Sequence, residues 1–153
     1  MHPHLEAIFD QPDLIPPGNW PRDEATIISA TATRTGKQWT AAAKLPDGRP
    51  VKAQGATWVE VKKNVAQLIF DCLQAEPGAL GVHLAPADSE AAAALDAVVS
   101  ARIARANAEQ AERDAVRHAA HLLISQGWTT RDAGSALRLS HQRISQITSS
   151  ATE

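Results

Sequence analysis

The sequence predicts an α+β protein, with a small β-β-β-α-β N-terminal unit, a long connector helix and a C-terminal helix-turn-helix. Three observations carry this reading. Between residues 26 and 54, β-branched and small residues alternate between turn signals; from 57 to 73, apolar residues recur at helical spacing behind a cap; from 88 to 126, the chain has neither Pro nor Gly.

Residues 1–24 hold Pro3, Pro12, Pro16, Pro17 and Pro21, a density that disfavours helix and central strand alike, so a Pro-rich arm is predicted. Leu14, Ile15 and Trp20 are available to tie that arm to the next region. There, Ile28, Ala30, Ala32 and Arg34 alternate with Ile27, Ser29, Thr31 and Thr33, and "TGK" at Thr35 to Lys37 supplies a turn into a second strand, Gln38 to Lys44. "PDG" at Pro46 to Gly48 marks another turn before a third strand, Pro50 to Gln54. Thr57 and Glu60 form a T-x-x-E capping box. Behind it Trp58, Val61, Val65, Leu68, Ile69, Cys72 and Leu73 mark one apolar helix face. "EPG" at Glu76 to Gly78 is read as its end, and Ala79 to Ala85 as a fourth strand. Residues 25–87 therefore read as one domain in which a helix covers one face of a sheet.

The hairpin followed by "LPDGRPVKAQGATWVEVKKNVAQLI", Leu45 to Ile69, resembles the HicB-like antitoxins: a Pro-Asp turn, a Gly, a Thr two residues later and a Glu at the third helical position fall in that family's order. The turn "LPDGRP" and the strand end "AAAK" depart from the family pattern. The resemblance covers about residues 25 to 86. It implies a fold similar to part of ribonuclease H, a DNA-binding tail, and a small HicA-type ribonuclease toxin as protein partner.

From Asp88 or Ser89, either of which can cap, the absence of Pro and Gly and the abundance of Ala predict one long helix or two with a bend, with residues 88–112 as the connector. Leu95, Val98, Val99 and Ile103 read as one packed end, and Val116, Leu122, Leu123 and Ile124 as the other. "ARANAEQAERD", Ala104 to Asp114, reads as a solvated bridge between them.

Residues 113–150 read as a helix-turn-helix domain. Gly127 stops the long helix, Thr129 or Thr130 caps a second, and Ser140 caps a third. Ala133, Gly134, Leu137, Leu139, Ile144 and Ile147 are the small and apolar positions that let two short helices cross closely. Arg138 stands where such turns commonly hold Gly, which predicts a strained turn. The third helix would enter the major groove, with Gln142 and Gln146 suited to adenine and Arg143 to guanine, and His141 and Ser145 on the same helix. Ser140 at the helix start, with Thr129, Thr130 and Arg131, are phosphate candidates.

Charge supports this placement. The chain has a formal net charge of −2, but residues 1–101 carry 8 Lys+Arg against 12 Asp+Glu, whereas residues 102–153 carry 7 against 5. Between Ala133 and Thr152 there is no carboxylate. The single cysteine excludes an intramolecular disulfide framework and fits a reducing compartment. With no stretch of about 20 apolar residues and no basic start followed by an apolar run, a cytoplasmic protein with no membrane association is expected.

Enzyme signatures are not found: no G-x-G-x-x-G, phosphate loop or G-x-S-x-G occurs, and the strands from Thr26 to Lys44 hold none of the carboxylates that ribonuclease H chemistry needs. His118 and His121, at i and i+3, lack a third metal ligand and read as partly exposed helix residues; His2 and His4 lie in the arm and His83 in a strand. Cys72 reads as a small apolar residue, and Trp39, Trp58 and Trp128 as packing anchors. No catalysis, metal or cofactor is expected. The expected function is a DNA-binding regulator, a homodimer on double-stranded DNA with recognition helices about 34 Å apart, acting as an antitoxin that represses its own operon. A stand-alone transcription factor whose N-terminal unit dimerises or senses, and an adaptor whose C-terminal helices bind protein, are the alternatives.

Overall fold

The structure, a computed structural model, describes residues 3–14, 26–76 and 78–150. Its elements run α1 (Pro3–Glu6), a 3-10 turn (Ala7–Asp10), β1 (Thr26–Thr35), β2 (Gln38–Lys44), β3 (Pro50–Gly55), α2 (Trp58–Leu73), β4 (Leu80–Pro86), α3 (Ser89–Ser125), α4 (Thr130–Leu137) and α5 (His141–Ser149). The fold is α+β with the predicted β-β-β-α-β order. The described residues divide into two compact units, 26–99 and 3–14 with 100–150, and the division falls within α3.

In the first unit the sheet order is β3-β2-β1-β4. The tight turn at Gly36, φ +63°, makes β1 and β2 antiparallel, with Ala30 opposite Ala43 and Ala32 opposite Ala41. The crossover through α2 returns β4 parallel to β1, with Ala30 beside Leu84. Alternation along the strands is that of a half-buried sheet: Ile28, Ala30, Ala32, Ala41, Ala43 and Leu84 face Val61, Val65 and Ile69 of α2, while Ile27, Ser29, Thr31 and Thr33 are exposed on the other face. Four alanines on the covered face keep the helix close to the sheet. A Cβ on Gly55 would lie 2.4 Å from the Val61 amide nitrogen, so β3 approaches α2 too closely for any larger residue. Trp39 and Trp58 close one margin of this core edge to face, with ring centroids 5.1 Å apart.

Helix α2 begins as predicted. The Thr57 hydroxyl accepts from the Glu60 amide at 3.1 Å, and the Glu60 carboxylate reaches back to the Ala56 amide at 3.0 Å, one residue before the cap. It ends earlier than predicted: Gln74, at φ +47°, turns the chain before the "EPG" stretch, and its amide bonds the Phe70 carbonyl. Cys72 is half-buried and packs against the core between α2 and the sheet.

Helix α3 is a single helix of 37 residues. Its start is capped by Asp88, whose carboxylate accepts from the Ala91 amide at 2.7 Å. Two expectations along it are corrected. Leu95, Val98, Val99 and Ile103 are not a packed end, since all four are exposed. The stretch Ala104 to Asp114 is not solvated throughout: Arg113 is 2% exposed, and Gln110 is half-buried.

The second unit explains that burial. The first residues do not form a loose arm: Pro3 opens α1, where its fixed φ suits a first helical turn. Leu5 and Phe9 pack on a core of Ala120, Ala133, Leu139 and Ile144, with Val116, Leu123, Ile124, Leu137 and Ile147 around it. Leu14, expected to tie the arm to the sheet domain, is exposed, and its amide instead donates to Gln110 of α3 at 2.8 Å. Ile15, Trp20 and His2 lie outside the described residues.

Two left-handed residues fold the C-terminal helices onto α3. At the end of α3, Gly127 has φ +91°, with its amide bonded to the Ile124 carbonyl and that of Trp128 to Leu123. The α4–α5 turn repeats this pattern, with Arg138 at φ +58°, its amide on Ser135 and that of Leu139 on Gly134. Gly134 permits the crossing, because a Cβ there would lie 2.6 Å from the Leu139 carbonyl oxygen. Trp128 is not an anchor in this unit; it is 43% exposed.

Two substitutions test the approach of β3 to α2 and the α4–α5 turn. Gly55→Ala lowers stability by about 1–3 kcal/mol through overpacking against α2, whereas Arg138→Gly raises it by about 0.5–1 kcal/mol by relieving a left-handed L residue. Chemical denaturation of the full chain measures both.

Candidate nucleic-acid interface

Helices α4 and α5 form the predicted helix-turn-helix, and each is capped by the residue expected. The Thr129 hydroxyl accepts from the Asp132 amide at 3.1 Å, and the Ser140 hydroxyl accepts from the Arg143 amide at 3.2 Å. Ile144 is buried and Ile147 half-buried against α3. This orientation leaves His141, Gln142, Ser145 and Gln146 exposed. His141, Gln142 and Ser145 share one side of α5, being one, three and four residues apart. No residue of α5 is acidic. Such a row of donors and acceptors, on a short helix braced by a second, is what the edges of base pairs match.

Arg143 occupies a different side of the helix. Its Nη2 donates to Asp10 Oδ1 at 3.0 Å, its Nη1 donates to Gln146 Oε1 at 3.3 Å, and its guanidinium carbon lies 5.8 Å from the centroid of the Phe9 ring. To meet a guanine it must leave these partners. Ser140 is also engaged: its amide donates to Glu6 Oε1 at 2.7 Å. In a capping box the residue three places into the helix accepts from the cap amide, but that position is Arg143 here. Glu6, from the other end of the chain, takes the role and places a negative charge where the α5 dipole favours it.

The starting turn of α4 holds the remaining residues. Thr130 is half-buried and Arg131 exposed. The Thr129 hydroxyl also donates to Asp132 Oδ2 at 2.8 Å, so while it caps α4 its proton is committed and a carboxylate stands beside it. Arg131 is the one phosphate candidate in this turn with a charge to offer.

No motif or spacing marks the residues that hold this arrangement. Arg113 donates from Nη1 to the Ile8 carbonyl at 2.6 Å, and from Nη2 to Gln110 Oε1 at 2.7 Å and the Pro12 carbonyl at 3.4 Å. Its Nε lies 3.3 Å from Asp13 Oδ1 but outside hydrogen-bond geometry, and is otherwise unpartnered. Arg117 Nη1 donates to both Asp13 oxygens at 3.0 Å. The Arg117 hydrogen bond is the main cause holding the Asp13 carboxyl below its ordinary pKa, opposed by a partial loss of solvent and helped by Gln110 and Arg113. An open depression of about 410 Å³ lies between Phe9, Asp13, Arg117, His121, Arg143 and Gln146.

These contacts change the charge balance. Residues 102–153 carry two more basic than acidic groups, but Glu6, Asp10 and Asp13 belong to the same unit and leave it with 7 Lys+Arg against 8 Asp+Glu. Any attraction for phosphate is local to exposed cations such as Arg131, not a property of the whole unit. His118 and His121 are exposed, as is His83, and no group of three metal-ligating side chains occurs among the described residues. No described helix is long and apolar enough to cross a membrane.

No family model, curated protein or solved structure matches this chain.

The tie between the chain ends is testable by stability and pH. Arg113→Ala strips three acceptors of a charged donor and lowers stability by about 2–4 kcal/mol, measured by urea unfolding. Because the Asp13 pKa is depressed in the folded state, its contribution is complete above the unfolded value, about 3.9, and disappears as pH falls through the lower folded value. The melting difference between wild type and Asp13→Asn is therefore constant from neutral pH down to that range and closes below it.

Proposed function

We propose that the chain is a DNA-binding regulator that places α5 in the major groove of duplex DNA. The observation carrying this reading is the α5 outer face: His141, Gln142 and Ser145 exposed together, without a carboxylate, on a helix supported by α4. His141, Gln142 and Ser145 read base edges, Gln146 borders them, and Arg131 contacts the phosphate backbone. Arg143 acts chiefly by orienting α5 through Asp10 and Phe9, and joins the DNA only by exchanging those partners for a phosphate or a base. One such helix meets few base pairs, so two copies on a two-fold site are the functional form.

The regulator is further proposed to be an antitoxin of the HicB-like kind, with the sheet domain taking a small basic ribonuclease as partner and the C-terminal unit repressing the shared operon. Support for this part is the motif order from Leu45 to Ile69 together with the β-β-β-α-β order of the elements.

Selection of random duplexes by the full chain, followed by fluorescence anisotropy on the winners, tests the DNA reading. A defined sequence emerges, with affinity falling as salt rises. Gln142→Ala weakens that sequence by about 1–3 kcal/mol and leaves other duplexes unchanged, whereas Arg131→Ala weakens all duplexes alike and lowers the salt slope by about 1. Failure to enrich any sequence, or binding indifferent to Gln142, contradicts the reading.

A further inference from the structure

The first half of α3 carries large apolar side chains in the open. Leu95, Val98, Val99 and Ile103 are 50, 44, 52 and 57% exposed. At about 100° per residue they occupy one stripe, with Ala91, Ala92, Ala106 and Arg102 between them. Asp88, Glu90 and Asp96 precede Val99, while Arg102 and Arg105 follow it, and Arg105 is paired with Glu109 at 2.9 Å. Among the described residues, neither Asp96 nor Arg102 has a hydrogen-bonding or ion-pair partner from its side chain.

We infer that this stripe is a self-association surface, on which α3 of a second copy packs antiparallel about a two-fold axis at Val99. In that register Val99 meets its own counterpart, Leu95 lies level with Ile103 of the second copy, and Asp96 lies level with its Arg102. The apolar residues form the seam, and Asp96 of each helix meets the opposite charge of Arg102 on the other. A parallel pair sets Arg102 against Arg102 in the middle of the seam and joins the two acidic ends, so like charges oppose it. Antiparallel packing also opposes the two helix dipoles favourably. The charge order thus selects a second copy of this chain, and one orientation of it, as the occupant. A seam of one helix on one helix is at the small end of specific interfaces, so association in the micromolar range follows. This inference deepens the two-copy part of the functional reading; its test uses no DNA, so the two fail separately.

Sedimentation equilibrium of the full chain across the micromolar range shows a monomer–dimer equilibrium. Val99→Glu, at an exposed position whose change leaves the circular dichroism spectrum unaltered, puts two like charges at the axis and weakens the dimer by about tenfold or more. Asp96→Arg and Arg102→Asp each weaken it, and their combination restores it. In a Cys72→Ser background, Leu95→Cys chains oxidised with Ile103→Cys chains give the mixed disulfide in preference to the Leu95→Cys self-pair. A chain that stays monomeric, a dimer indifferent to Val99→Glu, or preferential Leu95→Cys self-pairing overturns the inference.

Discussion

The second unit depends on a cation withdrawn from water. Arg113, in the middle of α3, satisfies the carbonyls of Ile8 and Pro12 and the Gln110 side chain, so the first residues of the chain are fixed against a helix more than a hundred positions away. A buried guanidinium is unfavourable unless its donors are occupied, and those acceptors exist only when the N-terminal segment is in place. That requirement makes the segment part of the domain. Leu5 and Phe9 then complete the apolar core that α4 and α5 close from the other side.

What α5 can offer to a partner follows from this tie. With Glu6 on the Ser140 amide and Asp10 on Arg143, one side of the helix is turned inward and neutralised, and the polar row at His141, Gln142 and Ser145 is what remains. The proposed recognition of DNA would rely on hydrogen bonding to base edges more than on bulk charge, since the unit as a whole carries no cationic excess. The sheet domain is organised on a separate principle, with four alanines and one glycine letting a single amphipathic helix lie close upon it.

Elements decided by neighbouring residues were legible in the sequence. The alternation around Ile28 to Ala32, the Thr57 cap, the Gly127 stop and the Ser140 cap each fix backbone geometry within a few positions, and all appear where the pattern places them. Arg138 is the same case: the expected positive φ is adopted by an arginine because the crossing of α4 and α5 requires it. The rest depended on contacts distant in sequence. Proline density in residues 1–24 gave no hint that Pro3 would start a helical turn docked on α3. A run such as "AEQAERD" resembles any solvated helix until Asp13 and two carbonyls arrive to cover Arg113. Conversely, Leu95, Val98 and Val99 have the spacing of a buried stripe, yet nothing among the described residues covers them; spacing states which side chains share a face, not whether a partner is present.

The most direct measurement is an NMR titration of the isotope-labelled full chain with its selected duplex, read residue by residue. The account predicts the largest amide and side-chain shifts at His141, Gln142 and Ser145, a smaller effect at Arg131, and little change at Ile8, Val116 and Ala120. Shifts confined to the sheet domain, or broad loss of the Ile8 and Ala120 signals on binding, would contradict it.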